Sequence, residues 1–321
     1  MSSCGCSSSG RAPPCQGGGS EFEPRHPLHF FVTLYGVTFF IILRMIFMIN
    51  LIASDLDGTL LYTDHATITE RTLSALSAAH KKGVKIAIST GRTLALIKDV
   101  ASSLPLVDYI IYSNGAGVYD CSKQETVFVQ SVAEDKACKI IELLDKYPVF
   151  YNVYANGRIY YKTISDVSIF KKVDLPEKFI RHFIESSVAV DDLREIVLNQ
   201  PVEQIIVYFA PDECRKEISV LLDYLGGLHS VSSFSDNIEI MSESASKGLA
   251  VKAICDMIGC AAENVMTFGD AWNDCSMLEF AEYSFAMANA DDRAKNSAKF
   301  ITDSNAEDGV AKAIEKYILN T

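Results

Sequence analysis

The 321-residue sequence has no C-x-x-C pair of cysteines and no excess of positive charge. Three of its nine cysteines lie among the first 15 residues, and the others are scattered along the chain. This usage predicts a reduced protein without a disulfide framework or a zinc site. The formal net charge of −12 argues against a surface that binds nucleic-acid phosphates, so nucleic acid is not an expected partner.

The histidines are not spaced like metal ligands, and the sequence contains no evident internal repeats. His65, His80, His182 and His229 are too isolated to form a ligand set, and we assign them no role. Apolar residues make up 49% of the chain and charged residues 22%, which is ordinary for a globular protein. The length allows two domains.

The first 47 residues differ from the rest of the chain. Residues 1–23 are rich in Ser, Gly and Pro and are expected to be disordered. Residues 28–43 are almost wholly apolar, but this run is short for a membrane span and lacks the basic start and cleavage site of a secretory signal. Only a short link joins this run to the first predicted strand, and a bilayer span could hardly feed a central strand through so short a link. We therefore expect residues 1–47 to be an extension that is not part of the working protein. A membrane anchor is the alternative to the expected cytoplasmic location.

Polar, glycine-containing loops follow four short apolar runs that we predict to be strands. Ile49–Ser54 precedes Asp55 and Asp57, and the other three runs are Lys85–Ser89, Tyr109–Tyr112 and Val265–Phe268. Helices are predicted between them at Thr67–Lys82, with capping-box spacing of Thr67 and Glu70, and at Leu94–Ser102. This order predicts an open, parallel α/β sheet, in which ligands bind beyond the carboxyl ends of the strands.

Between these strands lies a stretch of different texture, residues 121–237. It contains strand-like runs at Thr126–Val129, Arg158–Lys162 and Gln204–Phe209, and amphipathic helices at Ala133–Lys146 and Asp212–Leu225, the last with a capping Asp. Tyr151, Tyr154, Tyr160 and Tyr161 are interpreted as core or sheet-surface residues. We therefore predict an inserted α+β domain at 121–237.

The first pattern then resumes, so residues 48–120 and 238–321 are predicted to form one domain. Ser246-Lys247-Gly248 begins a helix, strands are predicted at Tyr283–Met287 and Lys299–Ile301, and Glu307–Leu319 is predicted to be the last helix.

Acidic residues accumulate at the predicted strand ends. Asp55, Asp57, Asp270 and Asp274 would repel one another without a cation, and all-oxygen ligands suit Mg²⁺. Lys247 joins this cluster if its helix begins at the same edge. Gly91 beside Thr90 offers a bare backbone N–H and a hydroxyl group to a phosphate.

The motifs D-L-D-G-T (55–59), S-T-G-R (89–92), S-K-G (246–248) and G-D-x-x-N-D (269–274) resemble, in this order, those of the haloacid dehalogenase-like (HAD) superfamily. The inserted domain and S-N-G-A (113–116) resemble its Cof-type subfamily, the class IIB phosphatases. The resemblance covers about residues 48–321. It implies a Rossmann-like core domain, a parallel sheet with helices, and an inserted α+β cap domain.

The same resemblance implies roles for individual residues. Asp55 would be the nucleophile and Asp57 the general acid and base, while Thr90 and Lys247 would bind the transferring phosphoryl group. Mg²⁺ would be held by Asp55, the Asp57 backbone carbonyl, Asp270 and Asp274. The expected phosphate- or substrate-binding residues are Leu56, Gly91, Arg92, Asn114, Gly115 and Asn273, the last orienting Lys247 or an acid. Trp272 is interpreted as a packing residue.

The function that these features imply is a Mg²⁺-dependent phosphatase of small phosphorylated metabolites of the sugar-phosphate type. The cap would act as a lid that excludes water and selects the substrate. One alternative is a phosphomutase of the same superfamily. Another is a protein that binds a phosphorylated metabolite without turnover, against which the presence of both Asp55 and Asp57 counts. The sequence carries no indication of the oligomeric state.

Overall fold

The computed structural model describes residues 48–97, 106–165, 177–231 and 237–320, and within them every side chain except those at 177–179 and 182. The predictions for residues 1–47 and for the second half of the helix at Leu94–Ser102 lie outside the described residues. Residues 94–97 are helical. In the described ranges no helix combines the length and apolarity needed to cross a bilayer.

Strands and helices alternate along most of the chain. The strands are β1 (Leu51–Asp55), β2 (Lys85–Ser89), β3 (Tyr109–Tyr112), β4 (Gly117–Asp120), β5 (Glu125–Val129), β6 (Phe150–Ala155), β7 (Arg158–Lys162), β8 (Ser187–Val190), β9 (Val202–Tyr208), β10 (Leu228–Val231), β11 (Asn237–Ser242), β12 (Val265–Gly269), β13 (Tyr283–Ala286) and β14 (Phe300–Ile301). The helices are α1 (Glu70–Lys81), α2 (Glu134–Leu144), α3 (Glu177–Glu185), α4 (Leu193–Asn199), α5 (Asp212–Leu225), α6 (Lys247–Ile258), α7 (Cys275–Phe280), α8 (Asp292–Ser297) and α9 (Gly309–Ile314).

Eight strands form the core sheet, in the order β14-β13-β12-β1-β2-β3-β4-β5. Strand β1 lies inside this sheet, parallel to β12 on one side and to β2 on the other. All five of its residues are buried, as expected for a strand of a parallel sheet that is covered on both faces. The antiparallel strands β4 and β5 extend one edge. The predicted α/β core is confirmed.

Six strands form the cap sheet, in the order β10-β11-β9-β6-β7-β8. One face packs against α2, α4 and α5 through side chains such as Val153, Ile205 and Val207. The opposite face carries Phe150, Tyr154, Ile206 and Tyr208, which cluster with Leu96 of the core domain. Because successive strand residues point to opposite faces, the second set is turned away from α2, α4 and α5 and toward the core domain and α3.

Strand pairing differs from the predicted domain boundaries at both ends of the cap. Strand β5 was assigned to the inserted domain, but it pairs with β4 in the core sheet. Strand β11 was assigned to the core, but it pairs with β9 and β10 in the cap sheet. The local pattern of a strand does not reveal its partner, so the sequence misassigned both. The pairing favours boundaries near residues 130 and 243.

Several helices differ from the prediction at their N-terminal ends, in the first residue or in the cap. Helix α1 begins at Glu70 with Thr69 as its N-cap, because the Thr69 side chain accepts a hydrogen bond from the backbone of Thr72; the Thr67 capping box is wrong. Asp212 is the first residue of α5 rather than its N-cap. The last helix begins at Gly309, not Glu307, and continues as a π-helical turn.

A buried carboxyl group joins the cap to the core domain. Glu203 of β9 is fully buried, and its Oε1 accepts hydrogen bonds from the backbone N–H of Gly157 at 2.7 Å and from the hydroxyl of Tyr112, in β3, at 3.3 Å. Its Oε2 has no hydrogen-bond partner among the described residues. Burial raises the pKa of Glu203 from 4.5 to about 7, although these two donors oppose the rise.

We expect Glu203→Gln to remove part of the pH dependence of stability. Because the folded-state pKa lies above the unfolded value, the stabilisation from protonated Glu203 is full below pH 4.5 and is lost as the pH rises through 7. The shift corresponds to about 3 kcal/mol in the free energy of unfolding. Denaturant unfolding at pH 4.5 and pH 8 should show a smaller change in the variant than in the wild type. The exposed Glu125→Gln is the matched control; equal pH dependence of all three proteins would contradict the prediction.

Candidate active site

Four strands of the core sheet end at one cavity of about 460 Å³. Strand β1 ends at Asp55, β2 is followed by Thr90, β3 by the loop containing Asn114, and β12 by Asp270. In a parallel sheet these ends lie side by side, so residues far apart in sequence meet there. The predicted site residues that line the cavity are Asp55, Asp57, Thr90, Gly91, Arg92, Asn114, Asp270 and Asn273.

Lys247 is the buried cation of the site. Helix α6 begins at this residue, and its N-cap Ser246 accepts a hydrogen bond from the backbone of Leu249, which holds the helix start in place. The Lys247 ammonium group is fully buried and lies 2.5 Å from Oδ1 of Asp55 and 2.5 Å from Oδ1 of Asp274. Burial alone would lower the pKa of Lys247, but the two carboxylates outweigh it and raise the pKa, so the ammonium group stays charged.

Three carboxylates form a cluster around this lysine. One oxygen atom from each of Asp55, Asp270 and Asp274 lies within 4.8 Å of the other two. Asp274 Oδ2 accepts hydrogen bonds from the backbone N–H groups of Asp270 and Ala271, and Asp270 Oδ1 accepts one from the Thr59 hydroxyl at 2.9 Å. Each carboxylate is therefore held by its own donors.

This cluster carries more negative than positive charge. Burial, together with Asp274 and Asp270, raises the pKa of Asp55 well above its ordinary value despite the lysine. Burial and Asp274 raise the pKa of Asp270 to about 6. A further cation among the three carboxylates would relieve this repulsion, and three carboxylate oxygens form a hard donor set that fits Mg²⁺. The residues present thus fit the expected metal ion.

Arg92 pairs with Asp57. Its guanidinium group donates to both carboxylate oxygens of Asp57, with distances of 3.0 Å from Nε and 2.6 Å from Nη2. This bidentate pair is one-quarter to two-fifths exposed. The predicted role of Arg92 in binding phosphate or substrate stays a prediction, with a surface ion pair as its alternative. His65, to which we assigned no role, lies 3.9 Å from Asp57.

Asn273 contacts Asn114 rather than Lys247. Its Nδ2 donates to Oδ1 of Asn114 at 3.0 Å and fixes the orientation of that amide. Ser113 and Asn114 both have positive φ angles, which brings the loop back toward Gly91. The predicted role of Asn273, orienting Lys247 or an acid, stays a prediction, and the contact that the structure shows is the one with Asn114.

Three residues predicted to bind phosphate or substrate do not line the cavity, namely Leu56, Gly115 and the buried Lys247. The Leu56 side chain is fully buried, so only its backbone can serve the site. Gly115 has a φ angle of +94°, and a Cβ atom there would lie 2.2 Å from the carbonyl oxygen of Ser246. The absence of a side chain at Gly115 thus allows the Ser246-Lys247 segment to approach the β3 loop.

Several residues around the cavity were missed or misinterpreted in the sequence. Trp272 lines the cavity and is 43% exposed, so its interpretation as a packing residue is wrong. Tyr154 also lines the cavity, whereas Tyr151 and Tyr160 are core residues as expected. Other lining residues with no sequence prediction are Thr93, Leu96, Ile180, Phe183, Ile206, Tyr208, Val231, Glu239 and Ala271. The one sequence feature that pointed to Glu239 is its position as a charged residue between two isoleucines, at 238–240.

Comparisons with known proteins agree with this geometry. A family model described as haloacid dehalogenase-like hydrolase matches residues 52–314. A 5-amino-6-(5-phospho-D-ribitylamino)uracil phosphatase of Bacillus subtilis is 32% identical over 272 residues, which are 84% of this chain and 96% of the relative. The pyridoxal phosphate phosphatase of Escherichia coli is 27% identical over 279 residues, 84% of this chain and 99% of the relative. The solved structure of a sugar phosphatase of HAD subclass IIB has a TM-score of 0.68 and 26% identity, over 84% of this chain and 98% of that one.

Proposed function

Because this chain belongs to the haloacid dehalogenase-like hydrolase family and is a Cof-type phosphatase of small phosphorylated metabolites, we propose that it works through an aspartyl-phosphate on Asp55 and requires Mg²⁺. The observation that carries this proposal is the environment of Asp55. Its carboxylate lines the cavity, contacts the buried Lys247 and shares a cluster with Asp270 and Asp274. A nucleophile needs such fixed neighbours to meet a phosphate ester at close range.

The proposed reaction has two steps that use the same two acids. In the first, an Asp55 carboxylate oxygen attacks phosphorus, the bond to the leaving oxygen breaks, and Asp57 gives its proton to that oxygen. In the second, water attacks phosphorus, Asp57 takes a proton from the water, and the bond between Asp55 and phosphorus breaks. Phosphate leaves, and Asp55 and Asp57 return to their starting states.

Thr90 and Lys247 are proposed to bind the phosphoryl oxygens. The Thr90 hydroxyl accepts a hydrogen bond from the backbone N–H of Arg92 at 3.1 Å, so its own proton is directed to another acceptor. The charged Lys247 lies beside the attacking carboxylate, where it also counters negative charge on the transferring group.

Arg92 is proposed to exchange partners during binding. While both Asp57 oxygens accept hydrogen bonds from the Arg92 guanidinium group, neither carries the proton that the first step gives to the leaving oxygen. Asp57 therefore has to leave Arg92 and take up a proton from solvent before it can protonate that oxygen. A phosphate ester in the cavity competes for the same guanidinium group. Substrate binding would thus release Asp57 for catalysis.

The proposed Mg²⁺ ligands are Asp55, Asp270 and Asp274, with the backbone carbonyl of Asp57 added by family resemblance. When bound, the ion supplies positive charge that offsets the repulsion between the Asp55 carboxylate and the phosphate. Thr59 orients Asp270 through its hydrogen bond, and the backbone N–H groups of residues 270 and 271 orient Asp274.

The substrate class follows from the cavity and the relatives. A cavity of about 460 Å³ suits a small metabolite. The relatives are named for a phosphorylated ribitylaminouracil, for pyridoxal phosphate and for sugars, so the proposal covers phosphomonoesters of these kinds. Specificity for sugar phosphates, a cytoplasmic location and domain limits near residues 130 and 243 stay predictions. A phosphomutase is the alternative, and it would need a bisphosphate activator and yield a transferred ester in place of free phosphate.

We expect removal of Mg²⁺ to abolish phosphate release. Treatment with a chelator should lower release by at least about 100-fold across a panel of phosphorylated sugars, nucleotides and vitamins, and added Mg²⁺ should restore it. Asp270→Asn should raise the Mg²⁺ concentration for half-maximal activity by about 10-fold or more, because it removes one ligand charge. The exposed Asp256→Asn, on α6 and paired with Lys252, is the matched control. Full activity of the chelator-treated protein would rule out the metal requirement.

A further inference from the structure

The cavity has two chemically different walls. The core wall carries Asp55, Asp57, Asp270 and Arg92, and the buried Lys247 contacts Asp55. In the described part of the cap, the cap wall consists of apolar and aromatic side chains and one carboxylate, that of Glu239. Phosphate chemistry takes place at the first wall, so the second wall faces whatever the phosphate is attached to.

Strand register aligns Glu239 with the aromatic residues of this wall. Glu239 on β11 lies directly opposite Ile206 on β9, and Tyr208 on β9 lies opposite Phe150 on β6. Residues directly opposite each other in antiparallel strands share a face of the sheet. Glu239 therefore projects from the same face as Ile206, Tyr208 and Tyr154, beside a flat and largely apolar surface.

Two neutral amides orient the Glu239 carboxylate. Its Oε2 accepts a hydrogen bond from Nε2 of Gln204 at 2.7 Å, and its Oε1 accepts one from Nδ2 of Asn237 at 2.8 Å. The residue is 5% exposed, yet it lines the cavity. An oriented carboxylate in an apolar wall attracts hydrogen-bond donors and repels acceptors, because the low local polarity strengthens both effects.

The neighbouring tyrosines supply flat surface and stay neutral. Burial, Tyr208 and the Glu239 charge raise the pKa of Tyr154 above its ordinary value, and burial does the same for Tyr208. Phe183 and Leu96 extend this apolar surface. Aromatic and aliphatic side chains around a cavity favour planar rings over heavily hydrated polyols.

We propose that Glu239 determines substrate specificity by accepting a hydrogen bond from an amino or N–H group on a planar heterocycle in the leaving group. The inference rests on the proposed phosphatase function and deepens it, because it assigns the ring-bearing part of the substrate to the cap wall. Phosphate esters that carry such a ring are then better substrates than the same ester without the ring. Replacing the ring's amino group by a carbonyl oxygen turns a donor into an acceptor and weakens binding.

Matched phosphate esters separate these contributions. Cytidine and uridine 5′-monophosphates differ by an amino group in place of a carbonyl oxygen, as do adenosine and inosine 5′-monophosphates, and ribose 5-phosphate lacks the ring. We expect wild-type kcat/KM to favour the amino member of at least one pair by about 10- to 100-fold, the range for a hydrogen bond to a charged group. Ribose 5-phosphate should be poorer than that amino ester.

We define the amino-to-oxo ratio as kcat/KM for the amino ester of a pair divided by kcat/KM for its oxo ester. Glu239→Gln should lower this ratio at least about 10-fold, mainly through KM, because the residue contacts the part of the substrate that does not react. Glu239→Asp keeps the negative charge on a side chain that is one methylene shorter. It should give an intermediate ratio, and it remains informative if the glutamine variant folds poorly. The matched control is Glu243→Gln, at an exposed position just beyond β11, which should keep the wild-type ratio.

The outcomes distinguish the inference from the proposed function. Equal ratios in wild type and both Glu239 variants would overturn the inference, as would a wild-type preference for ribose 5-phosphate or for the oxo esters. Absence of phosphate release from every ester with Mg²⁺ present would instead overturn the proposed function.

Discussion

Asp55→Asn is expected to reduce phosphate release by at least about 10³-fold with every phosphomonoester. An amide cannot form the acyl phosphate that the proposed first step requires. The substitution keeps the shape of the side chain and an oxygen atom that can still accept from Lys247 at the end of β1. The fold should therefore persist while turnover is lost.

The measurement is phosphate release in the presence of Mg²⁺, together with mass spectrometry of acid-quenched protein during turnover. Wild type should gain one phosphoryl group on the peptide that contains Asp55, and the variant should gain none. Asp256→Asn, on the exposed face of α6, controls for the substitution itself and should behave as wild type. Activity of Asp55→Asn near the wild-type level would show that another residue is the nucleophile. Binding without turnover by the wild type would favour the non-catalytic alternative.

The core side of the site was largely predictable because short, local sequence patterns mark its strands and the residues that follow them. Each strand that contributes a site residue is a short apolar run, and β2 and β3 were predicted with the bounds that the structure shows. Each run ends in polar residues and a glycine, so strand order and the carboxyl-end rule together indicated one cluster. Family resemblance then ordered those residues into roles, which stay proposals.

The partners within that cluster were less predictable. The sequence contains Arg92 and Asp57 but does not show that they pair, since the contact depends on how two loops turn after different strands. The contact between Asn273 and Asn114 likewise depends on the positive φ angle at Asn114. Hydrogen-bond partners separated by 35 and 159 residues follow from the folded backbone and not from local pattern.

The cap side was the least predictable part. Its wall depends on the register between β6, β9 and β11, and a shift of one residue would turn Glu239 to the other face of the sheet. Strand β6 was not predicted at all, because F-Y-N-V-Y-A (150–155) is apolar on one face and mixed on the other and lacks a clear alternation. The residues that would choose the substrate are thus the ones that local sequence specifies least.

Lys247→Met is expected to destabilise the metal-free protein by about 3–5 kcal/mol, the range for breaking a buried ion pair by removing one partner. The ammonium group is fully buried between Asp55 and Asp274, and a methionine fills a similar volume without charge. Asp55, Asp270 and Asp274 would then face one another with no cation between them. Phosphate release should fall by about 10²-fold or more, because the charge beside the phosphoryl group is lost.

Denaturant unfolding with and without Mg²⁺ separates the two effects of this lysine. Because a divalent cation replaces the lost charge, Mg²⁺ should stabilise Lys247→Met more than it stabilises the wild type, while activity stays low. Lys252→Met, on the same helix but in an exposed pair with Asp256, should change neither stability nor activity measurably. Equal stability of Lys247→Met and wild type without Mg²⁺ would mean that the three carboxylates do not depend on Lys247, and the proposed charge balance of the site would be wrong.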